Sequence, residues 1–237
     1  MIKQYGIRIK KKFFNPLFLR FLGTITHVHT EEPVAALTFD DGPHPVYTPN
    51  LLKLLDKYQA RATFFMVGEA AQKQQEIVEM VAQAGHAIGI HSWDHSSFSL
   101  IGGRERRRQL LTCKHILGPN GQKMFRPPWG RQSVASRFDA LLLGYKVIAW
   151  NVVAEDWLDL KPGTMAERLI RDIRPGSIIL LHDAIYRSVL AKPQYDRSAM
   201  LEALDITLRR VGNQMRFITV QELLQFGRPA LQEWFYR

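Results

Sequence analysis

From residue 34 onward, short runs of consecutive apolar residues take turns with stretches whose apolar positions recur every three or four residues. The runs at 34–39, 62–67, 86–90, 146–151, 177–181 and 216–219 predict strands, with a shorter extended piece at 123–126. The amphipathic stretches at 48–58, 69–84, 104–117, 133–143 and 199–211 predict helices, and Gly85 suits a left-handed close of the second. Thr164 and Glu167 read as a capping box opening a helix to residue 172, and Thr219 and Glu222 as another. Because the strands are apolar without alternation, both of their faces are buried, as in a parallel sheet covered by helices. About seven strand–helix units in about 200 residues suit a barrel better than an open sheet. No G-x-G-x-x-G follows the first strand, so a dinucleotide fold has no support.

Composition narrows this to one domain. The chain has 237 residues, 46% of them apolar, enough for a sizeable core. The expected division is a basic amphipathic N-terminal segment (1–33), a main domain (34–226) and a C-terminal tail (227–237). The single Cys113 excludes an intrachain disulfide framework or a cysteine-rich zinc finger. The net charge of +10 is local: residues 1–23 carry six cations and no acid, and residues 104–114 five cations against one acid. The remainder is neutral, and base-stacking and helix-turn-helix signatures are missing, which argues against nucleic acid. In the leader, Phe13, Phe14, Leu17, Phe18, Phe21 and Leu22 share a helical face, with Asn15 placed to cap it, Pro16 at its first position and Gly23 at its close. Two readings stay open: a helix packed under the domain, or a basic foot, residues 1–23, on an anionic membrane. Asn15, Pro16 and Arg20 break the apolar run, so no clear cleavable signal peptide is expected, and the compartment, membrane-peripheral or cell envelope, stays open.

Five loci carry chemistry, each at or just beyond the carboxyl end of a predicted strand. The adjacent carboxylates of Thr38-Phe39-Asp40-Asp41-Gly42-Pro43 repel each other, so one of them wants a cation. In His91-Ser92-Trp93-Asp94-His95 the i, i+4 spacing would put two imidazoles on one side of a helical turn, able to share a metal, although Ser92 stands where a zinc protease has glutamate. Arg126-Pro127-Pro128-Trp129-Gly130 offers a guanidinium and a main-chain N–H on a rigid backbone. Glu155-Asp156-Trp157 and His182-Asp183 complete the set. In a parallel barrel these strand ends form one face, where catalytic groups gather, and the set predicts a metal-assisted hydrolase.

TFDDGP, HSWDH, RPPWG, EDW and LLHD, in this order over residues 34–226, resemble the successive motifs of the polysaccharide deacetylases of carbohydrate esterase family 4, the domain of nodulation-type chitooligosaccharide deacetylases. The resemblance implies a distorted (β/α) barrel of about seven parallel strands and hydrolysis of N-acetyl groups from N-acetylglucosamine-type units of peptidoglycan or a chitin-like glycan. It implies Asp41, His91 and His95 as ligands of a divalent metal, with zinc the expected ion. Asp40 would be the general base toward the attacking water, Arg126 its orienting partner, and the Trp129 N–H a donor to the oxyanion. His182 would protonate the departing amine, with Asp156 keeping it cationic, and Trp157 and Leu180 would shape the acetyl pocket. Alternatives are a deacylase of a lipid-linked sugar at the membrane and a non-catalytic glycan-binding relative. Val153 departs from the pattern, since the family often has an acid there. Cys113, His27, His29 and His44 read as structural, His27 and His29 as loop residues, and Arg104–Arg108 as a solvated helix end.

Overall fold

The computed structural model describes residues 16–186 and 196–234. The order of elements is α1 (Pro16–Leu22), β1 (Thr24–His29), β2 (Val34–Asp40), α2 (Tyr47–Lys57), β3 (Ala62–Met66), α3 (Gly68–Lys73), α4 (Gln75–Gln83), β4 (Ala87–Ile90), α5 (Gly103–Leu117), β5 (Gly121–Phe125), α6 (Val134–Leu142), β6 (Lys146–Val147), β7 (Val152–Val153), α7 (Pro162–Asp172), β8 (Ile178–His182), α8 (Ser198–Val211), β9 (Arg216–Phe217), α9 (Val220–Leu223) and β10 (Arg228–Gln232). Seven strands in the order β6-β5-β4-β3-β2-β8-β7 form a parallel sheet curled into a distorted half-barrel, with β9 paired to the start of β2. The predicted barrel of about seven parallel strands is this sheet.

Alternation along the strands sorts the core into two layers. Leu37 and Phe39 of β2, with Ile179 and Leu181 of β8, face the helices. Ala36 and Ile178 face the barrel interior with Phe65, Ala87 and Met124. The β2–β8 register pairs Ala36 with Ile178, Thr38 with Leu180 and Asp40 with His182. Side chains at paired positions lie on one face of a parallel sheet, so Asp40 and His182 both end up above the interior layer. Burying every residue of β2 commits the chain to this register, because a slip by one would put Phe39 in the barrel and both aspartates elsewhere.

Several elements differ from the sequence reading. Residues 24–29, expected within the N-terminal segment, and 228–232, expected in a tail, pair antiparallel as β1 and β10. This ribbon stands where β6 and β7 leave the barrel open: Ala149 N–H donates to the Ile25 carbonyl at 2.7 Å and Val28 N–H to that of Gly176 at 2.9 Å. His27 and His29 therefore lie on a strand, rings 4.9 Å apart, not in a loop. The predicted strand at 146–151 is cut to two residues because the carbonyls of Ile148 and Ala149 turn to the Arg126 guanidinium. The predicted helix 69–84 breaks at Gln74 (φ −133°, ψ 47°). α7 starts at Pro162, whose fixed φ favours the first helical position, so Thr164 and Glu167 form no capping box. Thr219 and Glu222 do form one, as do Ser133 and Ser136 at α6. Pro16 opens α1 as expected, whereas Asn15 and the basic residues before it lie outside the described residues.

Candidate active site

The Asp-Asp step is built by a backbone reversal. β2 ends at Asp40, and Asp41 adopts φ 77°, a left-handed conformation that L-residues take only at a cost. The reversal sends both carboxylates to one place instead of to opposite faces. Asp40 Oδ1 accepts from Arg126 Nη1 at 2.8 Å. Arg126 is fully buried, and its other donors go to Thr38 Oγ1 at 2.7 Å, the Ala149 carbonyl at 2.9 Å and the Ile148 carbonyl at 3.3 Å. The guanidinium also lies 4.2 Å from the Phe65 ring centroid. Burial lowers its pKa from the ordinary value and Asp40 opposes that, leaving it a cation at any working pH. A fully desolvated arginine with this many fixed acceptors cannot swing away, so the Asp40 carboxylate is held in one orientation.

His91 and His95 reach the same point by a route the sequence reading did not foresee. Residues 91–95 form no helical turn. Ser92 (φ 68°) and His95 (φ 61°) are both left-handed, and His95 N–H donates to Ser92 Oγ at 2.9 Å. The segment is pinned from two sides: the carbonyls of Ser92 and Trp93 accept from Gly68 and Glu69 N–H at 2.9 Å, and Gln109 Nε2 donates to Asp94 Oδ1 at 2.9 Å. Trp93 packs so closely on Gly68 that a Cβ there would lie 2.5 Å from its ring.

The result is a three-ligand cluster. Ligand atoms of Asp41, His91 and His95 lie within 4.8 Å of one another, all buried. Asp41 Oδ1 is 3.3 Å from His91 Nε2 and 3.1 Å from His95 Nε2, yet has no hydrogen-bond partner of good geometry. His91 Nδ1 lies 2.9 Å from the Arg126 carbonyl, which can only accept, so Nδ1 carries the proton and a neutral ring turns its Nε2 lone pair toward Asp41. Lone pair facing carboxylate in a buried site is unfavourable unless a cation sits between them. Two imidazole nitrogens and one carboxylate oxygen are the donor set of divalent transition metals, and the residues present fit such an ion. Burial would raise the Asp41 pKa, but positive charge at this point, which without an ion only protonated rings of His91 and His95 could supply, outweighs burial and holds the carboxyl well below the usual range. The Tyr186 N–H, donating to Asp41 Oδ2 at 3.0 Å, fixes the second oxygen.

The acid side of the site is separate and equally well tied. His182 Nδ1 is 3.0 Å from Asp156 Oδ1, and its main-chain N–H donates to Asp156 Oδ2 at 2.9 Å. Arg197 Nη2 donates to the same oxygen at 2.5 Å and to the Asp156 carbonyl at 2.8 Å. Burial pulls the His182 pKa down, but Asp156 above all, with Asp41 and Asp40, raises it to about 8. For Asp156 burial raises the pKa, and His182 and Arg197 bring it below the usual range. Trp157 stands edge-on to His182 at 5.4 Å. Leu180 lies buried one layer below, paired with Val153 across β7–β8, so the position expected to carry an acid supplies an apolar wall instead. Trp129 (φ 53°) is 58% exposed, its ring 4.4 Å from that of His95.

Nine of the ten sequence-predicted site residues thus fall on one face of the barrel, at or just beyond the carboxyl ends of β2, β4, β5, β7 and β8, and Leu180 lies within β8 one layer below them. Four contributors had no role assigned from the sequence, although Thr38 and Asp183 stand within the TFDDGP and LLHD motifs. Thr38 and Tyr186 act through a hydroxyl and a main-chain N–H, and Arg197 is a lone arginine outside any motif, so spacing gives no sign of them. Asp183, next to His182, is buried, accepts from the Thr48 hydroxyl and would lie 2.2 Å from a Cβ at Gly42. Burial pushes its carboxyl up to about 7. The structural residues behave as such. Burial raises the Cys113 thiol to about 12, and His44 Nδ1 accepts from Val46 and Tyr47 N–H at the start of α2. The basic run is only partly solvated, since Arg106 is buried and donates to Asp139 Oδ2 at 2.6 Å.

The family model for polysaccharide deacetylase matches residues 27–148. A peptidoglycan-N-acetylglucosamine deacetylase of Bacillus cereus is 33% identical over 204 residues, covering 84% of this chain and 92% of its own. A chitooligosaccharide deacetylase of Azorhizobium caulinodans is 33% identical over 166 residues, 68% of this chain and 79% of its own. Among solved structures, a peptidoglycan N-acetylglucosamine deacetylase in complex with 4-naphthalen-1-yl-N-oxidanyl-benzamide superposes with a TM-score of 0.77 at 28% identity, over 86% of this chain and 94% of the other.

Proposed function

Because the chain belongs to the polysaccharide deacetylase family and is similar to peptidoglycan-N-acetylglucosamine and chitooligosaccharide deacetylases, we propose that it removes N-acetyl groups from N-acetylglucosamine units of peptidoglycan or a chitin-like oligosaccharide, with zinc as the ion. The observation that carries the reading is the buried Asp41–His91–His95 cluster, with Asp40–Arg126 on one side and His182–Asp156 on the other.

An amide is a weak electrophile with a poor leaving group, so its hydrolysis needs a polarised carbonyl, an activated water and an acid for nitrogen. Asp41, His91 and His95 would hold a divalent cation, which would supply Lewis-acid polarisation of the carbonyl and a more nucleophilic water at neutral pH. Asp40 accepts the proton of the attacking water, with Arg126 fixing the carboxylate so that its free oxygen faces the cluster. The Trp129 main-chain N–H donates to the acetyl oxygen as negative charge develops there. His182 gives its proton to the departing nitrogen. Asp156 accepts from Nδ1, which leaves Nε2 as the donating atom, and Arg197 keeps Asp156 ionised. Leu180, buried opposite Val153, and Trp157, edge-on to His182, suit the acetyl methyl.

The test is acetate release from a panel of N-acetylated glycans, peptidoglycan fragments and chitooligosaccharides of graded length, before and after chelation. Chelator-sensitive release from at least one class is expected. No release from any of them, in protein replete with zinc, would overturn the proposal.

A further inference from the structure

α6 is turned inside out. Its exposed positions are Val134, Ala135, Phe138, Leu141 and Leu142, the i, i+1, i+4, i+7, i+8 stripe of one helical face, with Phe138 51% and Leu142 60% exposed. A surface helix ordinarily presents its charges outward. Here the charged residues point inward. Arg137 is buried and donates to the carbonyls of Leu22 and Gly23, and Asp139 is buried between Arg106 and Arg107. Those two duties tie α6 to α1 and α5 and leave an outer face with no polar side chain. α1, held by Arg137, adds Phe21 at 56% exposed. A contiguous apolar surface of this kind marks an interaction site.

The surroundings identify the partner. Arg20 of α1, Arg131 three residues before α6 and Lys146 four residues after it are all exposed, and Lys123 Nζ, also exposed, reaches the Leu143 carbonyl just beyond the end of α6. The only acid of α1 and α6 is the buried Asp139. The sequence running into α1 adds Lys3, Arg8, Lys10, Lys11 and Lys12 with no acid before Pro16. Apolar side chains accompanied by cations match a bilayer with acidic headgroups. A second copy of the chain would bring cations against cations across the two-fold. We propose that the α1–α6 face docks on an anionic membrane, with Phe138 and Leu142 inserting among the acyl chains. α6 begins four residues after Gly130, so docking along it sets the mouth of the site, at Trp129, beside the bilayer. This inference does not depend on the reaction assigned above.

The experiment is flotation of the full chain with vesicles of phosphatidylcholine alone and of phosphatidylcholine mixed with phosphatidylglycerol. The wild type is expected to float with the mixed vesicles only. The double variant Phe138→Glu, Leu142→Glu is expected to lose partition about tenfold or more, with thermal midpoint and acetate release from soluble glycan unchanged. The milder Phe138→Ser, Leu142→Ser pair is run beside it and moves in the same direction. Equal flotation of wild type and variants would overturn the proposal. So would a wild type that floats with neither vesicle, or one that is a dimer which the variants convert to monomer.

Discussion

Replacing Asp156 with Asn tests the acid half of the site through a quantity the structure fixes. In the wild type His182 titrates at about 8, against 6.5 for a free imidazole, so the folded protein holds the proton about 2 kcal/mol more tightly than an unfolded chain does. The sign follows: this contribution to stability is complete below about pH 6.5 and is lost as the pH rises through about 8. Asparagine removes the chief cause of the raised value, and burial, with the Arg197 cation beside the ring, drives the imidazole the other way. The protonated fraction at pH 7.5 then falls from about three quarters to about one tenth or less, and acetate release falls at least in that proportion. The assay is the pH dependence of kcat/KM, whose alkaline limb moves from near 8 to below 6.5. Removing one member of a buried ion pair also costs about 3–5 kcal/mol, so urea unfolding is measured on the same preparation. A folded variant whose alkaline limb stays where the wild type has it would refute the assignment of His182 as the acid.

Three further outcomes follow from the same geometry. Arg126→Lys leaves Thr38, Ala149 and Ile148 without part of their donor set. It is expected to lower kcat by about a hundredfold or more and stability by about 3–5 kcal/mol, read by acetate release and urea unfolding. Gly42→Ala puts a Cβ 2.2 Å from Asp183 Oδ2 and displaces the loop that carries Asp41, so zinc affinity by competition titration falls and stability drops by about 1–3 kcal/mol. Asp183 titrates at about 7 in the folded chain, so its ionisation removes stability as the pH rises from about 4 to about 7. Asp183→Asn is expected to flatten the stability–pH curve over that range, by a margin of the order of 4 kcal/mol at most.

The parts of the site that were legible in the sequence are those held by local backbone geometry. TFDDGP places two carboxylates at a strand end whatever happens elsewhere, and HSWDH supplies its own reversal within five residues. His91 and His95 do come together, but not through i, i+4 spacing on a helical turn, because periodicity cannot reveal left-handed residues at Ser92 and His95. What stayed hidden depends on distant contacts. β1 and β10 carry polar residues on one face and gain their burial only by pairing across 200 residues of chain. Arg197 matters because the fold returns it to Asp156, 41 positions earlier. The sequence of α6 is that of an ordinary amphipathic helix with Arg137 and Asp139 on a solvent side, and only the contacts of Leu22 and Arg106 draw those two inward.

The central claim is that one buried cluster holds a metal while a neighbouring aspartate performs the chemistry. The most direct measurement is metal content alongside acetate release for Asp40→Asn and His91→Ala. The first variant is expected to retain zinc and release no acetate, and the second to lose the zinc. Acetate release by Asp40→Asn at the wild-type rate, or full zinc occupancy in His91→Ala, would contradict it.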